Sequence, residues 1–339
     1  MLSLLGHLYG KVLKIRNGLY ERGIFETVNL GARTISIGNI TTGGTGKTPL
    51  VAYIANLLAE RGEKVCILTR GYGRREPSKR VLVSDREQIL ADPADAGDEP
   101  FELAQKLNGK AVIIADADRV SAAQWAKQKF GVTTFLLDDG FQHRRAKRDL
   151  DIVCIDATNP FSSGKMLPAG RLREPLESLK RADMIVITRS DLVDDLSNLT
   201  SQISNLTSEI PIFFAKNKII QLNELINSPD DQALLPVAES IKEKRAIAIC
   251  ALGNPDNFYL LLRQNGYDVF RTRSFPDHFR YSEEDIHEIE NLARSCEVEV
   301  LITTAKDAVK LSDFKFQIPC YVVEIDVEFD DPQAFAALL

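Results

Sequence analysis

Residues 38–48 read Gly-Asn-Ile-Thr-Thr-Gly-Gly-Thr-Gly-Lys-Thr. Gly43, Gly44, Thr45, Gly46, Lys47 and Thr48 have the types and order of a phosphate-binding loop. Glycines let successive backbone N–H groups crowd around phosphate oxygens, a lysine in the place of Lys47 reaches the β- and γ-phosphates, and a hydroxyl in the place of Thr48 ligates Mg²⁺. The full pattern has glycine where this chain has Thr41. Such a loop must be held between an apolar strand, here around Ile35–Ile37, and a helix, here from about Thr48 to Arg61, whose positive end joins the same anion site.

Further groups able to do chemistry follow. An apolar run from Thr133 ends in Asp138-Asp139-Gly140, the arrangement with which P-loop proteins hold Mg²⁺ or its waters, and Asp156 at the end of the next apolar run is a rival for that role. The segment Gln142-His143-Arg144-Arg145 places polar and cationic groups beside it. Asp98, in Gly97-Asp98-Glu99-Pro100, reads either as a helix N-cap or as a general base for an acceptor hydroxyl, with His278 as a candidate partner. In Gly170-Arg171-Leu172-Arg173-Glu174-Pro175 the two arginines suit a phosphate clamp or a solvated loop, and Glu174 a metal shell. Thr188-Arg189-Ser190-Asp191 has arginine where the base-reading motif of GTPases has lysine, so the base is left undecided.

The elements that would position these groups form an α/β pattern. Near-continuous apolar runs at 64–70, 81–83, 111–115, 133–137, 152–155 and 184–187 alternate with helical periodicity at 101–107 and 120–130. That predicts a P-loop NTPase-type, mostly parallel sheet covered by helices on both faces, with function at the carboxyl ends of the strands. Polar stretches at 194–208 and 223–244 bracket a short strand at 211–215 and suggest a linker, after which a second, smaller α/β domain begins. The expected organisation is an amphipathic helix over 1–25, a P-loop domain over 26–210, a linker region over 211–245 and a smaller domain over 246–339.

With 339 residues, 44% hydrophobic and 27% charged, the chain has ordinary globular composition, and its net charge of −6 argues against nucleic acid as a main partner. Five scattered cysteines give neither a zinc pattern nor a disulfide framework and point to the cytosol. No apolar run approaches a membrane span. The first 25 residues carry Leu5, Leu8, Val12, Ile15 and Leu19 at helical spacing, with Lys11, Lys14, Arg16 and Arg22 against one acid, Glu21. Such a basic amphipathic helix either lies in an anionic membrane interface or packs on the first domain.

Taken in order, the blocks Gly38-Asn39-Ile40, Gly43–Pro49, Arg70-Gly-Tyr-Gly-Arg74, Gly97–Pro100, Asp138–His143 and Gly170–Pro175 resemble the tetraacyldisaccharide 4′-kinase family, as do Ala251–Pro255, Asp277-His278-Phe279 and Thr303–Asp307 in the second domain. The resemblance implies an ATP- and Mg²⁺-dependent kinase of lipid A biosynthesis, acting on a tetraacylated glucosamine disaccharide 1-phosphate to give lipid IVA. It also implies a cytosolic body held peripherally on the inner membrane by the N-terminal helix. Through it, Asp98 would be the base, paired with His278; Lys47 and Thr48 would hold the triphosphate; Asp139 and Glu174 would serve Mg²⁺, beside the candidates Thr48 and Asp138 read from the residues themselves; and Arg119, Gln142, His143 and Arg171 would meet the lipid headgroup. Closure of the two domains would then exclude water. The alternatives are a nucleotide-driven switch for membrane targeting or metal insertion, whose signature has lysine where this chain has Thr42, and a kinase of a small soluble metabolite.

Overall fold

The computed structural model describes residues 2–207, 209–225, 241–277 and 279–339, and the backbone alone at 235–236. The chain forms two compact units, Met1–Lys216 with Val327–Leu339, and Asn217–Asp326.

The first unit opens with helix α1 (Leu2–Glu21), then β1 (Arg33–Gly38), α2 (Lys47–Glu60), β2 (Val65–Thr69), β3 (Val81–Asp85), the short α3 (Pro93–Ala96), α4 (Asp98–Leu107), β4 (Val112–Ala115), α5 (Arg119–Phe130), β5 (Thr134–Asp138), β6 (Leu150–Asp156), β7 (Met184–Thr188) and α6 (Ser197–Thr207). The chain leaves this unit within β8 (Ile212–Glu224). Its strands lie in the order β3-β4-β2-β5-β1-β6-β7-β8, all parallel except the edge strand β3. Successive residues of a strand face opposite sides. Thus Val65 and Ile67 of β2 enter a core with Leu50, Ile54 and Leu58 of α2, whereas Cys66 and Leu68 enter one with Val120, Ala123 and Ala126 of α5. Both faces being covered is what makes the strands read as continuous apolar runs. β1 is central, so the loop after Gly38 emerges at the carboxyl edge between β5 and β6.

The second unit contains the end of β8, its antiparallel partner β9 (Leu235–Pro236), then β10 (Ala246–Cys250), α7 (Pro255–Gln264), β11 (Val269–Ser274), α8 (Glu283–Ser295), β12 (Val300–Thr304), α9 (Ala305–Leu311) and the start of β13 (Cys320–Phe329). Here β11, β10, β12 and β13 form a parallel set around Ile247, Ile249, Leu301 and Val322. The chain re-enters the first unit within β13 and ends in α10 (Pro332–Leu338).

The structure differs from the sequence expectation in three places. The polar stretch 194–208 holds helix α6, which buries Leu199 and Ile203. The expected linker begins with a thirteen-residue strand, β8. The last residues belong to the first unit, because Phe335 stacks on Phe329 at 4.0 Å and packs on Phe213 and Tyr53 at 5.4 and 6.1 Å. Among the described residues no helix is long and apolar enough to cross a membrane.

Candidate active site

β1 ends against the turn that follows β5. A Cβ on Gly38 would lie 2.6 Å from Cβ of Phe141, so only glycine lets the two strand ends come this close. The chain then turns through Gly43 (φ 115°) and Gly46 (φ 75°), left-handed values that favour glycine, and enters α2 at Lys47. No side chain caps this helix, which leaves its first N–H groups to an anion. Thr41 is buried and forms a bridge with Leu172, outside the part of the loop that needs positive φ, which accounts for a threonine where the strict pattern has glycine.

The loop is braced from both sides. Asn39 Nδ2 donates to Thr45 Oγ1 at 2.9 Å, and Thr188 Oγ1 donates to the Thr45 carbonyl at 3.0 Å. Arg189 donates to the Gly44 carbonyl at 2.9 Å and pairs with Asp156, which also accepts from Thr158. The Thr188-Arg189 dipeptide thus supports the phosphate loop, and Asp156 is committed to that support.

Asp138 and Asp139 are adjacent but face different surroundings, because Asp139 adopts φ 51° at the turn. Asp138 is buried and accepts from Thr69 Oγ1 at 3.0 Å. Burial first, then Glu99 and Asp139, push its pKa upward. Asp139 lies 3.6 Å from Lys47 Nζ, and Arg173 Nη1 donates to both its oxygens at 2.7 and 2.9 Å. Burial alone would raise Asp139, but Lys47 and Arg173 outweigh it and hold the carboxyl at about 2. Arg119 is buried and donates to the Asp138 and Asp139 carbonyls at 2.7 and 3.3 Å, so its guanidinium stiffens this turn.

No three metal-binding side chains converge among the described residues. The groups present, a threonine hydroxyl beside the lysine and an ionised carboxylate, nevertheless fit Mg²⁺, which is bound by one or two carboxylates together with phosphate oxygens and waters.

A depressed acid pKa contributes stability that is present above the ordinary value, here 3.8, and is lost as pH falls through the folded value, here about 2. At 15% side-chain exposure the Asp139 contribution is about 2 kcal/mol. Asp139→Asn is therefore expected to flatten the decline of urea-unfolding stability between about pH 4 and 2. A variant whose decline parallels wild type would remove this pairing from the account.

Residues 165–174 lie against the phosphate loop. Thr42 N donates to the Arg171 carbonyl at 2.8 Å and Arg173 N to the Ile40 carbonyl at 2.7 Å. The Arg171 side chain is exposed, with Nη1 3.8 Å from where a Cβ on Gly43 would stand. Glu174 is fully buried, and its Oε2 accepts from Arg181 at 3.0 Å and from Asn17 at 3.0 Å. Its described partners are thus cations and an amide outside the Lys47–Asp139 pair. Gln142 Nε2 donates to the Asn39 carbonyl at 2.8 Å. His143 is pushed down to about 4 by burial, then by Arg119 and Arg148, so its imidazole is neutral at pH 7.

Asp98 is the first residue of α4, and the capping position belongs to Gly97 at φ 89°. A Cβ on Gly97 would meet the Tyr72 carbonyl at 2.8 Å, so the Gly97-Asp98 turn is pressed onto the Arg70–Arg74 turn. That turn is in turn held by buried Arg74, which donates to the carbonyls of Gly71, Pro77, Lys79 and Ala115. His278 lies outside the described residues. Two residues escaped the sequence expectation: Arg173 as the partner of Asp139, and Asn17, a buried polar side chain in a helix read as amphipathic.

A parallel sheet with a glycine-rich loop between its central strand and α2, and a lysine–carboxylate pair at that loop, is the arrangement of a P-loop nucleotide-binding protein. The tetraacyldisaccharide-1-P 4′-kinase family, LpxK, matches residues 1–339, and the chain belongs to it. A relative named tetraacyldisaccharide 4′-kinase from Halothermothrix orenii is 39% identical, covering 96% of this chain and 88% of its own. One of the same name from Geobacter metallireducens is 36% identical, covering 98% and 95%. Among solved structures, LpxK from Aquifex aeolicus in complex with ATP superposes with a TM-score of 0.76 at 30% identity, over 98% of this chain and 96% of that one. By family the chain is a kinase of lipid A biosynthesis.

Proposed function

We propose that the protein transfers the γ-phosphate of ATP, with Mg²⁺, to the 4′-hydroxyl of tetraacyldisaccharide 1-phosphate, forming lipid IVA and ADP at the cytoplasmic face of the inner membrane. The observation that carries this reading is the Lys47–Asp139–Arg173 cluster at the phosphate loop, in a chain matched end to end by the kinase family. ATP lies along Gly43–Thr48, with Lys47 on the β- and γ-phosphates. Thr48 and Asp139 would hold Mg²⁺, with Asp138 behind, and the ion would supply neutralising charge to the transferring phosphoryl group; Glu174, which the resemblance adds to this set, is buried against Arg181 and Asn17. Asp98 accepts the proton of the attacking hydroxyl as its oxygen bonds to phosphorus and the ADP oxygen departs. His278, which the resemblance pairs with this base, lies outside the described residues.

Arg171, exposed beside the phosphate loop, and the segment Gln142-His143 meet the phosphorylated glucosamine headgroup, and Arg119 stiffens the turn beneath them. A neutral His143 donates or accepts one hydrogen bond to a sugar hydroxyl rather than adding charge. The acyl chains stay with the membrane, reached through α1.

The test is transfer of labelled γ-phosphate from ATP to purified tetraacyldisaccharide 1-phosphate in detergent micelles containing Mg²⁺. Labelled lipid that depends on Mg²⁺ is the expected product. Nucleotide hydrolysis with no labelled lipid would replace this reading by a nucleotide-driven switch.

A further inference from the structure

The loop at 165–174 has a different neighbour on each side. On one lies the phosphate loop, joined through the Thr42–Arg171 and Arg173–Ile40 backbone hydrogen bonds and the Thr41–Leu172 bridge. On the other lies α1. A Cβ on Gly6 would come 3.0 Å from the Met166 carbonyl, and Tyr9 Oη donates to the Arg173 carbonyl at 3.4 Å. One turn before the end of the helix, Asn17 Nδ2 donates to Glu174 Oε2 at 3.0 Å, with Arg16 Nη2 3.9 Å from Glu174 Oε1.

Asn17 is 7% exposed and Glu174 is fully buried. A helix that only anchored would fill this face with leucine, as it does at Leu13, because an amide and a carboxylate withdrawn from water gain nothing over apolar packing unless they fix a geometry. The geometry fixed here is that of Glu174, whose neighbour Arg173 clamps Asp139 opposite Lys47.

We propose that Asn17 is a positioning residue of the nucleotide site: through Glu174 it sets Arg173, and with it the Asp139–Lys47 geometry that receives the triphosphate. The helix that meets the membrane thus also braces the phosphate loop. This rests on the ATP-binding part of the proposed function and not on the identity of the acceptor.

The experiment uses the full-length protein and mant-ATP with Mg²⁺, read by fluorescence in the absence of lipid. Asn17→Leu, which removes the donor and keeps the bulk, is expected to weaken mant-ATP binding about tenfold, the loss of one hydrogen bond to a charged group. Sedimentation with anionic vesicles stays at the wild-type level, since Leu4, Leu8, Val12 and Ile15 are untouched. In an Arg173→Ala background the same substitution is expected to add less than about twofold, because the two residues act in one chain of contacts. Should Asn17→Leu not fold, Asn17→Ala gives the same readout.

A lowered melting temperature with unchanged mant-ATP affinity would make Asn17 merely structural and overturn the proposal. So would a full tenfold loss persisting without Arg173. Because no acceptor is present, a wild type that binds mant-ATP yet labels no lipid counts against the acceptor assignment alone.

Discussion

Asp98→Ala is expected to lower kcat for lipid phosphorylation by about 10³-fold while moving KM for ATP less than about threefold. The expectation comes from where the residue sits. Asp98 is the first residue of α4, after a glycine whose positive φ and close approach to Tyr72 fix the direction of the chain. A carboxylate placed this way, at the carboxyl edge of a parallel sheet, suits proton acceptance from an acceptor hydroxyl. Asp98→Asn is the sharper variant, since it keeps the shape and removes the basicity. It should lose nearly as much as alanine. His278→Ala tests the pairing that the family resemblance implies: groups that act as one unit are not additive, so an Asp98→Ala/His278→Ala double variant much worse than Asp98→Ala would reject that pairing. An Asp98→Asn enzyme within threefold of wild-type kcat would remove the residue from the chemistry, and Arg119, His143 and Arg171 would then be examined as stabilisers acting without a base.

The elements around this site were legible because parallel strands covered on both faces leave uninterrupted apolar runs, as at Val65–Leu68 and Ile185–Ile187. The phosphate loop was legible because its backbone requires glycine at Gly43 and Gly46. What stayed hidden depended on contacts distant in sequence. Arg171 and Arg173 are two residues apart in one motif, yet only Arg173 is turned onto Asp139. Nothing local distinguishes them. Asn17 and Glu174 are 157 positions apart, and neither is informative without the other. Helix α6 is a different case, since Leu196, Leu199, Ile203 and Leu206 keep helical spacing within the stretch read as linker, and the surrounding serines and threonines masked it. The return of Phe329 and Phe335 to the first core could not be seen either, because an apolar strand and a short helix do not name their partners.

Replacing Leu4, Leu8, Val12 and Ile15 together with glutamine is expected to reduce partitioning onto anionic vesicles by about 10³-fold, roughly 1 kcal/mol for each half-exposed aliphatic side chain. At 100° per residue these four fall within an arc of about 80°, directly opposite Gly6, Leu13 and Asn17. They are 75%, 59%, 55% and 65% exposed, whereas the three opposite are buried. A row of aliphatic side chains left in water on one side of a helix, flanked by exposed Lys11 and Lys14, suits the interface of an anionic bilayer. The lysines add an attraction that salt weakens, so raising salt should release the protein further, and should do so less when Lys11 and Lys14 are also replaced. Because the substituted face is not the one that touches residues 165–174, mant-ATP affinity should be unchanged in the glutamine variant. The two faces of α1 therefore separate cleanly: Asn17→Leu affects nucleotide binding and spares the membrane, and the glutamine variant does the reverse. Wild-type sedimentation of the glutamine variant with vesicles would show that the membrane is met through another surface.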